Sequence, residues 1–404
     1  MTEEVIDFAG CVAALREPNL RQSLYDEASL MMEHALVNLH GPAHRARRSA
    51  EAIMFRKDIF LELEKKVLPR TMAETLGASI ASGKADLVDL GYRVMMNLTV
   101  DFTGIDRTER TAEETDELLR LLREFSLAPA LGQSRPEDVA DKRTRIAAAI
   151  ADYEREFLGP SLTRRRALVD QWRAGEIDRD DLPRDVLTAL LINDDKVTLT
   201  PEEWVQEGIF FTLAGAHTTI HSLSHAVHEI FEWLEHHPED RERMRSDPFF
   251  IQQCVYESIR LHPSSPVAKR RALCPVLLDG GKRINTGEEV VIDLRQANHD
   301  KVRFGDDASR FNPHRHIAGT FRYGLSMGDG MHACLGRHLA IGVDPKPGAD
   351  VATHQYGLVP LIVEKLFKAG IQRDPDAAPQ KDETVSRITW HHYPVIFRPE
   401  EAFL

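Results

Sequence analysis

Cysteine is scarce in this chain: 404 residues contain only four, Cys11, Cys254, Cys274 and Cys334, and no two of them form a CxxC pair. That excludes a disulfide framework and a zinc knuckle, and leaves any cysteine of interest to act singly. Positive charge is also in deficit, with 51 Lys and Arg against 64 Asp and Glu for a net charge of -13. A nucleic-acid or anionic-membrane partner is therefore not the main business of the surface. No apolar run reaches the roughly 18 to 20 residues that span a bilayer. The opening MTEEVIDFAG is acidic where a signal peptide is basic, so the expected location is the cytoplasm, with no membrane anchor. Gly/Ser linkers, low-complexity tracts and internal repeats are absent too, and nothing forces a domain cut between residues 1 and 404.

What is present is an ordinary globular composition, 42% apolar and 28% charged. Apolar residues recur at three- and four-residue spacing over Asp58 to Leu76, Asp86 to Leu98, Thr111 to Ser126, Val139 to Leu158, Pro201 to His237 and Pro248 to Leu261. The spacing predicts a mainly α protein. LTPEEW marks the start of the longest helix, with Thr200 as cap and Pro201, Glu202 and Glu203 in the first turn. Strand signals concentrate late, in Pro275 to Leu278, Glu289 to Asp293 and Tyr393 to Phe397, with Asp279, Gly280, Gly281 and Gly287 as turn residues between the first two. Small sheets suffice for these. Asn193 to Lys196 and Asp374 to Asp382 read as surface loops.

One of the four cysteines sits in an unusual setting, GDGMHACLGRHLA from Gly328 to Ala340. Gly328 and Gly330 permit the positive φ values of a tight turn, and Gly336 removes a side chain where a flat ligand presses on the backbone. Behind Cys334, LGRHLAI starts a helix whose free N–H groups favour a thiolate at its positive end. A thiolate so placed suits an iron ligand.

The run Gly328-x-Gly330-x-His332-x-Cys334-x-Gly336 resembles the haem-binding loop of the cytochrome P450 family, departing from it at Met327, where an aromatic is usual. Other signatures of that family follow in order. Glu257-Ser258-Ile259-Arg260 is similar to its ExxR, and i, i+3 spacing puts both charges on one helical face. FNPHR supplies Arg315, which the resemblance makes part of a network bracing the haem loop. AGAHTT, Ala214 to Thr219, resembles the oxygen-binding segment within a long helix, where Gly215 and hydroxyl neighbours loosen the backbone ladder into a groove. By that resemblance Thr218 would donate a hydrogen bond to dioxygen. The family's usual acid is replaced by His217, a group with a reference pKa of about 6.5 that can carry protons. In HGPAHRARR, His44 and Arg48 match the pair that holds the haem propionates, and Arg270, or its neighbour Arg271, matches a further propionate arginine; His332 can also reach a propionate.

The resemblance implies a cytochrome P450-like haem-thiolate fold, mainly α with small β-sheets and an N-terminal part that is shortened, in one catalytic domain without a fused reductase. It implies a monooxygenase with heme b, held by Cys334. The reaction would use O2 to hydroxylate or epoxidise an apolar small substrate: a terpenoid, steroid, fatty acid or natural-product intermediate. Electrons would come from a separate ferredoxin or flavodoxin-type donor with its reductase, docking on the cysteine side near Arg337 and His338, and the chain would be a monomer. Phe210, Phe211, Leu213 and Ala214 would line the substrate pocket. Specificity would lie in the loop before the His44 helix, around Ser126 to Glu137, and in the turn near Trp390 to Tyr393. After Arg337 the family continues a helix, whereas here Pro345, Pro347 and the glycines between Gly342 and Gly348 should stop it early.

Two other classes share parts of the pattern. His221, His225 and His228 fall on one helical face and can be read as a zinc site, although HAVHE has its glutamate after the second histidine rather than where a zinc hydrolase needs it. A haem-thiolate protein that is not a monooxygenase, such as a peroxygenase, an isomerase or a gas sensor, would share Cys334. The groove at Gly215 and Thr218 favours oxygen activation.

Overall fold

A computed structural model describes residues 3–128, 131, 136–278, 281–317, 321–383 and 387–404, without the side chains of Glu3 and Pro136. Asp279 and Gly280 of the expected turn, and 129–130 and 132–135 within the Ser126 to Glu137 region, lie outside the described residues. The chain divides into two compact units.

One unit comprises Met1–Arg21, Phe60–Val94 and Thr218–Leu404. Its strands are β1 (Glu3–Val5), β2 (Leu20–Gln22), β3 (Lys84–Asp86), β4 (Val267–Ala272), β5 (Val276–Leu278), β6 (Lys282–Ile284), β7 (Glu289–Asp293), β8 (Ile371–Arg373), β9 (Gln380–Lys381), β10 (Trp390–His392) and β11 (Pro394–Phe397). They form a four-stranded sheet in the order β1-β7-β4-β2, a three-stranded sheet β3-β11-β8, and two hairpin-like pairs, β5-β6 and β9-β10. The late strands expected from the sequence are present within a residue or two. The first 22 residues supply two strands of the largest sheet, β1 and β2. Its inner face follows the period of two that strands impose: Ala268, Arg270 and Ala272 on β4 and Val290 and Ile292 on β7 are buried. Cys11 and Leu15 of the helix Phe8–Arg16 pack into the same core, each large aliphatic side chain there contributing about 1.5 to 3 kcal/mol.

The other unit, Gln22–Ile59 with Met95–His217, carries helices and no strand other than the last residue of β2 among its described residues. Its helices include Gly41–Glu51, Ala112–Phe125, Pro136–Tyr153, Gly159–Arg173 and Val186–Ile192. Thr111 and Asp185 cap two of them by accepting hydrogen bonds from the backbone N–H groups of Glu114 and Thr188. Gly159–Arg173 and Val186–Ile192 lacked a clear periodic signal.

Pro201–His236 is the longest helix among the described residues, with Pro201 to His217 counted in this unit and the residues from Thr218 in the first. Its start is a capping box: Thr200 Oγ1 accepts from Glu203 N at 3.2 Å and Glu203 Oε2 accepts from Thr200 N at 2.8 Å. Two of the other helices expected to be continuous instead contain a widened turn, at Leu63–Val67 and Glu154–Leu158, each just ahead of a proline, Pro69 and Pro160. A proline has no N–H to give and crowds the carbonyl four residues back, so the turn before it takes an extra residue.

Candidate active site

In the first unit, Cys334 lies on a loop shaped by two left-handed glycines, Gly328 with φ of 63° and Gly330 with φ of 66°. The Cys334 N–H donates to the Met327 carbonyl at 2.8 Å, closing that turn. At Gly330 a Cβ would stand 2.5 Å from the Leu15 carbonyl oxygen, so only glycine fits. The neighbouring Asp329 is fixed by Arg16 Nε at 2.7 Å. Gly336 has φ of -83°, an angle open to any residue, so backbone freedom does not explain it. His332 is half-buried at the end of the short helix Gly330–His332. Cys334 is exposed, whereas Cys11 and Cys254 are buried and Cys274 is intermediate. Burial pushes the Cys11 thiol up to about 12, and the Cys254 thiol up as well. Of the four thiols, Cys334 is the most exposed.

The helix behind Cys334 spans only Arg337–Ile341, as the glycine and proline run after it leads one to expect, and Gly342 ends it with φ of 75°. The chain then loops to Gly357, where the helix Leu358–Lys368 begins. The ends of the loop touch: a Cβ on Gly357 would lie 2.2 Å from the Gly342 nitrogen. This is an Ω-loop, its base pinned by Gln252, whose Nε2 donates to the carbonyls of Ile341 at 2.9 Å and Val343 at 3.0 Å.

The ExxR pair is fully buried and braces the cysteine loop. Glu257 accepts from Arg260 Nε at 2.8 Å and Nη2 at 2.7 Å, and from Arg315 Nε at 2.9 Å. Arg260 Nη1 donates to the carbonyls of Asn298 and Ala308, both at 2.6 Å. Asn298, which nothing in the sequence singled out, then links the network to the cysteine loop: its Oδ1 accepts from Leu325 N at 2.6 Å and its Nδ2 donates to Ser326 Oγ at 2.8 Å. Gly324 permits that approach, since a Cβ there would meet Asn298 Oδ1 at 2.1 Å.

Arg270 is buried with Ala268 and Ala272 on the inner face of β4, while Arg271 points the other way and pairs with Glu289 at 3.4 Å. Thr218, also in this unit, is exposed, and its carbonyl accepts from Ser222 Oγ at 3.1 Å. The three histidines of the zinc alternative are committed elsewhere: His221 contacts Thr389, His225 the Ile388 carbonyl and His228 the Tyr393 hydroxyl. Among the described residues no group of three His, Cys, Asp or Glu is placed to hold a metal, so that alternative falls.

In the second unit, His44 is buried and Arg48 half-buried on the helix Gly41–Glu51. Burial, with the Arg48 charge, holds His44 well below the usual imidazole range, at about 4. The Pro201–His236 helix is α-helical through Ala214 to Thr219, so no widened turn opens there. Gly215 serves close packing instead, as a Cβ would lie 2.6 Å from Thr99 Cγ2. Phe211 is buried in an aromatic cluster with Phe55 and Phe102, while Phe210, Ala214 and His217 are partly exposed. Sequence reasoning also missed a buried charge cluster, in which Arg47 pairs with Glu207 and with Glu203 beside the fully buried Glu51. The signal was Glu207 itself, a carboxylate inside the apolar run WVQEGIFF.

The donor set of the cysteine loop fits a haem: an exposed thiol on a loop fixed by left-handed glycines, and a buried arginine on β4. Among the described residues no helix is long and apolar enough to cross a membrane. The family model described as cytochrome P450 matches residues 36–342, ending at the residue where the helix after Cys334 stops. The mycinamicin VIII C21 methyl hydroxylase of Micromonospora griseorubida is 30% identical over 145 residues, 36% of this chain and 35% of that protein. The nocardicin C N-oxygenase of Nocardia uniformis subsp. tsuyamanensis is 31% identical over 209 residues, 50% of this chain and 46% of that protein. The match thus spans less than half the length of either relative. The solved structure of CalO2 has the same fold, with a TM-score of 0.73 at 21% identity over 98% of this chain and 90% of that one.

Proposed function

Because the chain belongs to the cytochrome P450 family, we propose that it is a haem-thiolate monooxygenase whose iron ligand is Cys334. The observation that carries this is the exposed Cys334 thiol on a loop braced from behind by Glu257, Arg260, Arg315 and Asn298. Bound heme b supplies oxygen activation, to which a thiolate ligand contributes electron density that favours O–O cleavage.

The chain's own residues orient and tune. Gly328 and Gly336 keep side chains away from the macrocycle. Arg270 and Arg48 offset the propionate charge, and His332 and His44 offer hydrogen bonds to it; burial lowers the proton affinity of His44 and makes it a hydrogen-bond partner rather than a cation. The Thr218 hydroxyl donates a hydrogen bond towards dioxygen, and Gly215 lets the helix pack closely beside it. His217 takes a proton on an imidazole nitrogen and returns it, in place of the family's acid. Phe210, Phe211 and Ala214 shape an apolar pocket.

The substrate is an apolar small molecule that is hydroxylated or epoxidised, and the whole chain acts as one catalytic domain in the cytoplasm, as a monomer served by a separate ferredoxin or flavodoxin-type donor. The hydroxylase and the N-oxygenase among the similar proteins support oxygen insertion. The test is turnover with labelled dioxygen, a surrogate donor and a panel of terpenoids, steroids, fatty acids and macrolides. One labelled oxygen atom per product supports the reading; haem reduction without label in any product, at any substrate concentration, contradicts it. For His217, the His217→Ala variant is expected to divert at least twice as many reducing equivalents to peroxide as the wild type. Equal coupling in the two removes His217 from the proton path.

A further inference from the structure

Three histidines at i, i+4 and i+7 on the Pro201–His236 helix carry one C-terminal segment, Ile388 to Tyr393. His221 Nδ1 lies 3.3 Å from Thr389 Oγ1, His225 Nε2 lies 3.0 Å from the Ile388 carbonyl oxygen, and His228 Nδ1 lies 3.0 Å from the Tyr393 hydroxyl. The Trp390 ring rests on the same face, 4.7 Å from the His228 ring and 6.0 Å from that of His225.

The chemistry of these contacts depends on protonation. A carbonyl only accepts, so His225 must carry its proton on Nε2. Its Nδ1 is then bare, and it is buried without a hydrogen-bond partner among the described residues. A second proton would have to enter there, with the His225 ring stacked on that of His262 at 4.1 Å and 4.6 Å from that of His221.

Charged groups face these rings from every neighbouring element. Arg387, just ahead of the C-terminal segment, faces His225. Arg373 of β8 faces His228, opposed by Glu229 and Glu232 on the same helix. Around His262 stand Arg260 from its own helix and Arg295 and His299 from the chain beyond β7. Tyr393, His392 and Asp86 close the far side, with Asp86 Oδ2 accepting from Tyr393 N at 3.1 Å and lying 3.0 Å from His392 Nδ1. Burial first, then the neighbouring His262, hold His225 well below its ordinary range, and burial also lowers His228. His262 is held at about 4. Glu229 lies 2.7 Å from His262 yet does not reverse this, because burial raises the Glu229 carboxyl as well and favours a neutral pair.

We propose that this histidine face is an acid-released latch: neutral imidazoles hold the Ile388 to Tyr393 segment on the helix, and protonation of His225 and His228 frees it. In the monooxygenase described above the segment helps to set substrate specificity, and only that consequence rests on the proposed function. The sign follows from linkage. These bases bind protons more weakly in the closed form than in the open one. The closed form is therefore at full strength above about pH 6.5 and weakens as pH falls below it, by up to tenfold per pH unit for each proton taken up.

The test is hydrogen exchange of the full-length holoenzyme from pH 7.5 to 5, corrected for the intrinsic pH dependence of exchange. Peptides over 388–393 are expected to open ten- to a hundredfold more at pH 5.5 than at pH 6.5, while β4 and β7 stay protected. His225→Gln keeps a donor for the Ile388 carbonyl but cannot titrate, and is expected to reduce that pH response by up to tenfold; His228→Gln provides a second reading if the first variant does not fold. A flat response in the wild type, an unreduced response in both folded variants, or loss of protection in β4 and β7 at the same pH overturns the latch. A protein that passes but shows no oxygen insertion leaves the latch standing and contradicts the function instead.

Discussion

Two clusters of buried charge, built from the same residue types, are resolved in opposite ways. Around Arg260 each of the five guanidinium N–H groups has an acceptor, in Glu257 and in the carbonyls of Asn298, Ala308 and Arg310, and Glu257 in turn also serves Arg315. Around Arg47 the charges are shared less completely. Glu207 pairs with Arg47 and accepts from Leu36 N at 3.1 Å, but both oxygens of fully buried Glu51 lack a hydrogen-bond partner of good geometry among the described residues. Burial, then the adjacent Glu207, pushes the Glu51 carboxyl well up, and burial raises Glu207 to about 7 against the pull of Arg47, so that Glu51 is the carboxyl that keeps its proton. A buried charge is tolerable when its partners are complete, and is neutralised when they are not.

The contrast can be broken at three points. The largest effect is expected from Glu257→Gln, which strands Arg260 in the core without its counter-charge. Removing one partner of such a set costs about 3 to 5 kcal/mol, read as a lower midpoint in urea unfolding; a midpoint unchanged from wild type would mean the network is not what holds the loop. A smaller loss is expected from Asn298→Ala, which leaves the Leu325 N–H and the Arg260 carbonyl unpaired at about 1 to 3 kcal/mol. Its specific mark is faster hydrogen exchange across residues 324–336, and an unchanged rate there would detach Asn298 from the cysteine loop.

The smallest effect is expected from Glu51→Gln, which replaces a carboxyl that is already neutral. Stability at pH 5 should change by less than about 1 kcal/mol. The sign of the pH dependence is specific: a carboxyl raised by folding contributes stability that is fully present below its unfolded value near 4.5 and is lost as pH rises through the folded value. The variant should therefore gain on the wild type as pH increases from 5 to 8. A difference between the two that is flat over that range would place the proton elsewhere.

The same contrast explains what the sequence disclosed. Glu257 and Arg260 are three apart on one helix, and Cys334 is framed by its own glycines, so local spacing carried the information. Asn298 reaches Leu325 and Ser326 across a long separation, and an asparagine in RQANHD looks like any loop residue. Glu51, Arg47 and Glu207 likewise meet only after folding. The helices fared in the same way: Pro201–His236 was legible from its cap and period, whereas the widened turns before Pro69 and Pro160 require the clash between a proline ring and a carbonyl to be considered in three dimensions. The interruption after Gly342 was legible because glycine and proline act locally, but not that the interruption closes on itself through the contact of Gly342 with Gly357. The histidine face was legible as one face, with zinc only as an alternative, but its partner was not, since the C-terminal segment that occupies it is more than 160 residues away in sequence.

The central claim, that Cys334 is the thiolate that holds a haem, is tested most directly by the absorption spectrum of the purified, reduced protein under carbon monoxide, in wild type and in Cys334→Ala. The account predicts a Soret band shifted far to the red in the wild type and loss of that shift in the variant. An unshifted band in the folded wild type, or a shifted band that survives removal of Cys334, would contradict it.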